Sequence, residues 1–237
     1  MPFFFFDPTF VLLIPALILA VWAQAKVKSA YAHYSRIGVR SGMTGAEAAQ
    51  RILREAGITL TDMPESVGGP ACALNVIPGQ MTDHYDPRNH ALNLSEGVYY
   101  GRSIAAIGIA AHEVGHAIQH ARQYAPLTLR NVVYPVCNIG STLAFPLFII
   151  GILGGIPVLM DAAILLFSFA VFFTVLTLPV EFNASRRAVA ALEQGGYVDV
   201  DELQGVRKVL TAAAMTYVAA AAMALMNLVR LLVLRRD

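Results

Sequence analysis

Charge is scarce in this sequence. Asp, Glu, Lys and Arg make up 14% of its 237 residues, against 57% hydrophobic residues, where an ordinary soluble domain carries about 25% charged residues. A chain so poor in solvating side chains cannot cover its own surface in water. Positive charge is not in excess either. The formal net charge is +1, which argues against a nucleic-acid binder, whose basic stripe must displace counterions. Cysteine is nearly missing: Cys72 and Cys137 alone build neither a disulfide scaffold nor a Cys-rich metal site. Together these deficits point to an integral membrane protein.

What the sequence has in quantity is apolar length. A hydrocarbon core about 30 Å thick takes about 20 helical residues, and the runs 8–25, 132–153, 156–180 and 209–229 are long enough. Gly154, Gly155 and Pro157 mark a tight turn between the second and third. Pro15, Pro146 and Pro179 would break soluble helices, but membrane spans tolerate proline where neighbours re-satisfy the freed carbonyls. Two polar segments remain, 26–131 and 181–208, and two intervening spans put both on one side.

Ala23-Gln24-Ala25 resembles a signal-peptide cleavage site. The residues ahead of that run carry no Lys or Arg, whereas Lys26, Lys28, Arg36 and Arg40 follow it, so the run reads as a retained span. The same bias places both polar segments in the cytoplasm, in a multi-pass protein of the plasma or inner membrane. Arg230, Arg235 and Arg236 run against it, because a fully crossing fourth span leaves them outside. Asp161, a few residues past the Gly154-Gly155 turn, reads as an acid at the outer interface.

The densest chemical signal is His112-Glu113-Val114-Gly115-His116. It sits in a proline-free, Ala- and Ile-rich run, 103–122, that reads as a buried helix. Histidines four apart share a helix face, so both imidazoles can close on one ion at about 2.0–2.1 Å, the usual zinc–nitrogen distance. Glu113 is rotated off that face and reaches a water rather than the metal, as a general base must. A pair of packed core histidines is the bland alternative, but it leaves several buried polar atoms to satisfy.

Catalytic zinc takes three protein ligands and a water. His120 is excluded as the third, because eight residues of helix rise about 12 Å from His112; it reads as a neighbouring or surface group. Glu181 follows Pro179 where the third span emerges. On spacing alone it is equally a ligand or an interfacial acid paired with Arg186 or Arg187. Glu193, Asp199, Asp201 and Glu202 read as a solvated face.

Ahead of the metal helix, Thr44 caps a helix over 45–56 that Gly57 ends. Short strands follow at 73–77, 80–85 and 90–94, separated by Pro78-Gly79 and Asp86-Pro87-Arg88-Asn89. They predict a small antiparallel sheet whose edge can take up an extended peptide. His84, Tyr85 and Asn183 are candidates for substrate or transition-state contacts, the first two by facing the metal cleft, with ordinary turn-flanking polarity equally open for them.

Four blocks carry a family resemblance: SGMTGAEAAQRIL (41–53), DHYDPRNHALNLSEGVYYGRSIAAIGIAAHEVGHAIQHA (83–121), LPVEFNASRRAVAAL (178–192) and VLTAAAMTYVAAAAMAL (209–225). With them the chain resembles the YugP-type neutral zinc metallopeptidases, membrane gluzincins related to the HtpX and CaaX-processing peptidases. The resemblance implies a mainly α integral membrane protein with four transmembrane helices and a small α+β zincin-like catalytic unit. It implies one catalytic Zn2+ held by His112, His116 and Glu181, with Glu113 as general base. HtpX-type enzymes place Asp four residues after the ligating Glu; here that position is Ser185, which leaves Asn183 or a water to orient the zinc histidine.

The expected activity is zinc-dependent endopeptidase cleavage by a metal-activated water. The expected partners are a peptide or protein substrate, membrane-associated or not, and the lipid bilayer. Nucleic acid is not expected among the partners, and an oligomer stays open. The rival class is a non-catalytic membrane adaptor or holdase with a structural or relict metal site, for which a fourth protein ligand such as His84 would speak.

Overall fold

A computed structural model describes residues 8–236. The residues 1–7 whose lack of Lys and Arg supports a retained first span lie outside the described residues. After a 3-10 turn over Pro8–Leu13 come α1 (Ile14–Tyr34), α2 (Gly45–Glu55), β1 (Thr59–Leu60), β2 (Ala71–Ile77), β3 (His84–Asp86) and β4 (Ala91–Ser95). Then follow α3 (Glu96–Tyr99), α4 (Ile104–Ala121), α5 (Ala125–Gly154), α6 (Pro157–Gln194) and α7 (Val200–Arg236). Contacts divide the chain into two compact units: residues 8–25, 128–179 and 215–236 form the first, residues 26–127 and 180–214 the second.

The first unit is built from the expected apolar runs. Four helices, Pro8–Tyr34, Ala125–Gly154, Pro157–Gln194 and Val200–Arg236, are long and apolar enough to cross a membrane. Each extends past its hydrophobic run into the polar sequence beyond. Gly155 makes the turn between α5 and α6 at φ +63°, a conformation that side chains with a Cβ avoid, and Pro157 opens α6, where its missing N–H costs nothing. Inside, Ala144 and Phe148 of α5 pack on Met160, Ala163, Phe167 and Val171 of α6 and Leu231 of α7. Outward, Val132, Val136, Ile139, Ile150, Leu153, Val158 and Leu165 are exposed, the surface expected of helices whose solvent is lipid rather than water.

The second unit has a water-type core. Thr44 caps α2 with a full capping box: its hydroxyl accepts from Glu47 N–H, and the Glu47 side chain accepts from Thr44 N–H. Gly57 at φ +75° ends that helix. Ile52 and Leu53 of α2, Leu92 and Leu94 of β4, and Ile107, Ala110, Ala111 and Val114 of α4 bury together with Leu192 of α6 and Val206 of α7. The metal-motif helix α4 is thus enclosed nearly all round. Ser103 caps it by accepting from Ala106 N–H.

The sheet is mixed, not antiparallel as its turn residues predict. Its order is β1-β2-β4-β3, with β1–β2 and β2–β4 parallel and only β3–β4 antiparallel. Turn residues report only local links. Pro78-Gly79 does not fold β2 onto β3, because β4, with Ala91, Leu92, Leu94 and Ser95 all buried, takes the central place and leaves β3 at the edge. Asp83 secures this crossing by accepting from Ser95 N–H at 2.7 Å and from its hydroxyl at 3.0 Å. A second correction concerns Glu202. It is buried, not solvated, and its carboxylate accepts from the backbone N–H of Arg40 and of Asp199, tying the start of α7 to the loop after α1.

Candidate metal centre

Helix α4 carries His112 and His116 one turn apart, with ring centroids 4.8 Å apart and planes at 85°. Helix α6 brings Glu181 to them. Its Oε2 lies 3.4 Å from His112 Nε2 and 3.5 Å from His116 Nε2. One ligand atom from each of the three residues falls within 4.8 Å of the others. Ligands at 2.0–2.1 Å from a tetrahedral zinc stand about 3.3 Å apart, so the donor set fits that ion in chemistry and in spacing. No fourth His, Cys, Asp or Glu joins the group among the described residues.

The helices can meet here because the motif contains a glycine. A Cβ on Gly115 would stand 2.6 Å from the Ala184 backbone oxygen. Between the two histidines, α4 therefore presents bare backbone to the turn of α6 that follows Glu181. Arg187 and Arg186, the sequence-level rivals for Glu181, turn to other acceptors: Arg187 Nε donates to Asn183 Oδ1 at 2.7 Å and Arg186 Nε to the Phe182 carbonyl at 3.4 Å.

Behind each imidazole stands a partner. Ser185 Oγ lies 3.2 Å from His112 Nδ1, and Gln119 Oε1 lies 3.0 Å from His116 Nδ1. Ser185 itself therefore occupies the role left to Asn183 or a water, and Asn183 is one step removed, bonded to Gln119 at 2.9 Å. Gln119 escapes notice in the sequence. The available signal is its place three residues after His116, on the same helix face. Burial works to lower the His116 pKa, but the facing Glu181 and Glu113 carboxylates overrule it and the net shift is upward.

Glu113 is buried beside this group without belonging to it. Desolvation pushes its carboxyl up, only partly countered by His112 and His116. Its Oε2 accepts from the backbone N–H of Tyr85 at 3.0 Å. The Tyr85 hydroxyl in turn meets His120 Nδ1 at 2.7 Å, and the His120 ring stacks edge-on to His90 at 4.9 Å. Edge strand β3 is thereby fastened to α4 at two points two turns apart. Strand alternation sends His84 to the other face, where its exposed ring meets the Thr82 carbonyl and Asn93. Of the sequence-level contact candidates, Tyr85 joins the site through its backbone, Asn183 through Gln119, and His84 not at all.

Residues 9–236 match the model of a family described as "Putative neutral zinc metallopeptidase". The chain is also 50% identical over 219 residues, 92% of each chain, to a Bacillus subtilis protein named "Putative membrane protease YugP". No solved structure matches it.

Proposed function

The chain belongs to the neutral zinc metallopeptidase family, and from that footing we propose that it is a membrane-embedded zinc endopeptidase with Glu113 as general base. One observation carries the reading. Three donors converge at zinc spacing while a fourth acid, Glu113, is held beside them and outside the ligand set. A structural zinc site wants four protein ligands and no open position, and an adaptor with a relict site has no use for Glu113 there.

His112, His116 and Glu181 would hold the metal. Bound zinc supplies Lewis acidity, making water acidic near neutral pH and polarising the carbonyl to be cleaved. Glu113 takes the proton of the attacking water and returns it to the leaving amine. The Tyr85 N–H bond orients its Oε2, as suits a carboxylate that must meet a water in one fixed geometry. An extended peptide seated along edge strand β3 would lie beside that carboxylate. The polar unit faces the cytoplasm of a plasma or inner membrane, in keeping with Lys26, Lys28, Arg36 and Arg40 after the first span.

The test is cleavage of an unfolded protein by the purified chain in detergent. We expect cleavage that a chelator abolishes and zinc restores, and a Glu113→Gln variant that keeps its zinc and fold while losing at least 100-fold in rate, the lower end of general-base effects at about 10². Cleavage that survives Glu113→Gln overturns the base assignment.

A further inference from the structure

Gln119 has no part in the proposed chemistry, yet it is wholly buried and commits every hydrogen-bonding group of its amide. Its Nε2 lies 2.8 Å from the Val180 carbonyl and 2.9 Å from Asn183 Oδ1, and its Oε1 3.0 Å from His116 Nδ1. A backbone carbonyl only accepts, so the amide nitrogen must face Val180 and the side chain cannot be flipped. Asn183 is oriented the same way from its other side. Its Oδ1 receives Arg187 Nε at 2.7 Å, and a guanidinium has no acceptor.

With both amide protons spoken for, Gln119 offers His116 only an oxygen, so Nδ1 must be the donor. A neutral His116 therefore carries its proton on Nδ1 and keeps a lone pair on Nε2, the nitrogen 3.5 Å from Glu181 Oε2. Ser185 imposes no such choice on His112, because a hydroxyl both donates and accepts. The two acceptors of the Gln119 amide, Val180 and Asn183, also flank Glu181 in the chain. One side chain on α4 thus grips α6 on either side of its ligand.

We propose that Gln119 is a positioning residue for the metal: its amide locks His116 in the Nδ1–H tautomer and holds the Glu181 turn of α6 in register with it. The inference rests on the zinc reading of the site and adds to it a residue whose loss is felt in metal binding before it is felt in folding. Groups that orient metal ligands typically change affinity by about 10–100-fold when removed.

The experiment uses the full chain in detergent. Zinc affinity is read by competition with a chromogenic chelator, and the His116 tautomer by 15N spectra of histidine-labelled, zinc-free protein above neutral pH. Wild type should bind one zinc and show His116 as Nδ1–H. Gln119→Leu, of similar volume, should bind zinc about 10–100-fold more weakly and lose the single tautomer, with its zinc-free melting temperature showing that it still folds. Should Gln119→Leu not fold, Asn183→Leu leaves the His116 partner in place and removes one of the two acceptors that orient it; a loss of about 3–10-fold is expected there, below the full range. Unchanged affinity and tautomer in the variant that folds overturn the inference. A wild-type chain that takes up no zinc overturns the metal reading beneath it, a distinguishable failure.

Discussion

Glu181 is 3% exposed, and a carboxylate that deep is costly unless cations or a metal face it. Its value as a ligand can be separated from its value to the fold. A metal that binds only the folded state stabilises it by about 2.7 kcal/mol at a hundred times its dissociation constant. Chelation should therefore lower the melting temperature of wild type by several degrees, and that of Glu181→Ala far less. Equal chelator shifts in the two proteins would remove Glu181 from the ligand set. Cys72 supports a prediction of another kind. Burial pushes its thiol up to about 11 from about 8.5 in an unfolded chain. The folded state therefore holds that proton more tightly. The stability this contributes is complete below about pH 8.5 and fades as pH rises through about 11, by up to about 3 kcal/mol. Thermal midpoints between pH 8 and 11 should fall more steeply in wild type than in Cys72→Ala. Parallel slopes would mean the thiolate is accommodated inside the fold.

Elements were legible in the sequence where the deciding force is local. Helix α2 begins at its Thr44 cap, as read from a side chain that touches its own helix, and α4 fills the run 103–122 after a Ser103 cap that only the structure shows. The spans follow from hydropathy, which needs no partner. The sheet order was not legible, because the choice of β4 as the central strand is made by burial in the core with α2 and α4, not by the residues of the adjoining turns. The same holds at the site. The two histidines of HExxH declare themselves by spacing, while Glu181 needed the family resemblance, and Gln119 and Ser185 needed the crossing of α4 and α6. That crossing yields its own prediction. Alanine in place of a helical glycine ordinarily gains about 1 kcal/mol from propensity. At Gly115 the added Cβ would meet the Ala184 backbone oxygen at 2.6 Å, and overpacking of this kind costs about 1–3 kcal/mol. Gly115→Ala should thus lower the melting temperature and, by pushing α6 away, weaken zinc binding with both histidines intact. A gain in stability would show that the helices can part without cost.

At the scale of the molecule, Arg230, Arg235 and Asp161, charges that strain the membrane reading, find partners within the first unit. Arg235 Nε and Nη2 reach Asp161 Oδ1 and Oδ2 at 2.7 and 3.0 Å, a forked pair that Lys could not reproduce. Arg230 lies over the Phe10 ring at 3.9 Å and donates to Thr9 Oγ1 at 3.1 Å. The start of the first span, the start of α6 and the end of α7 therefore share one end of this unit, as four spans joined in up-and-down order require. Pairing with Asp161 does not cancel the vote of these arginines, because orientation follows the count of Lys and Arg near the span ends and acids contribute little; direct labelling must decide it. Orientation can be read in a chain with Cys72 and Cys137 replaced by Ala. A cysteine at Val158, 73% exposed beside the α5–α6 turn, should react with a membrane-impermeant maleimide in intact cells. One at Met63, 71% exposed in the second unit, should react only after permeabilisation. The reverse pattern would place the His112–His116–Glu181 centre outside the cell, where it would meet a different set of substrates.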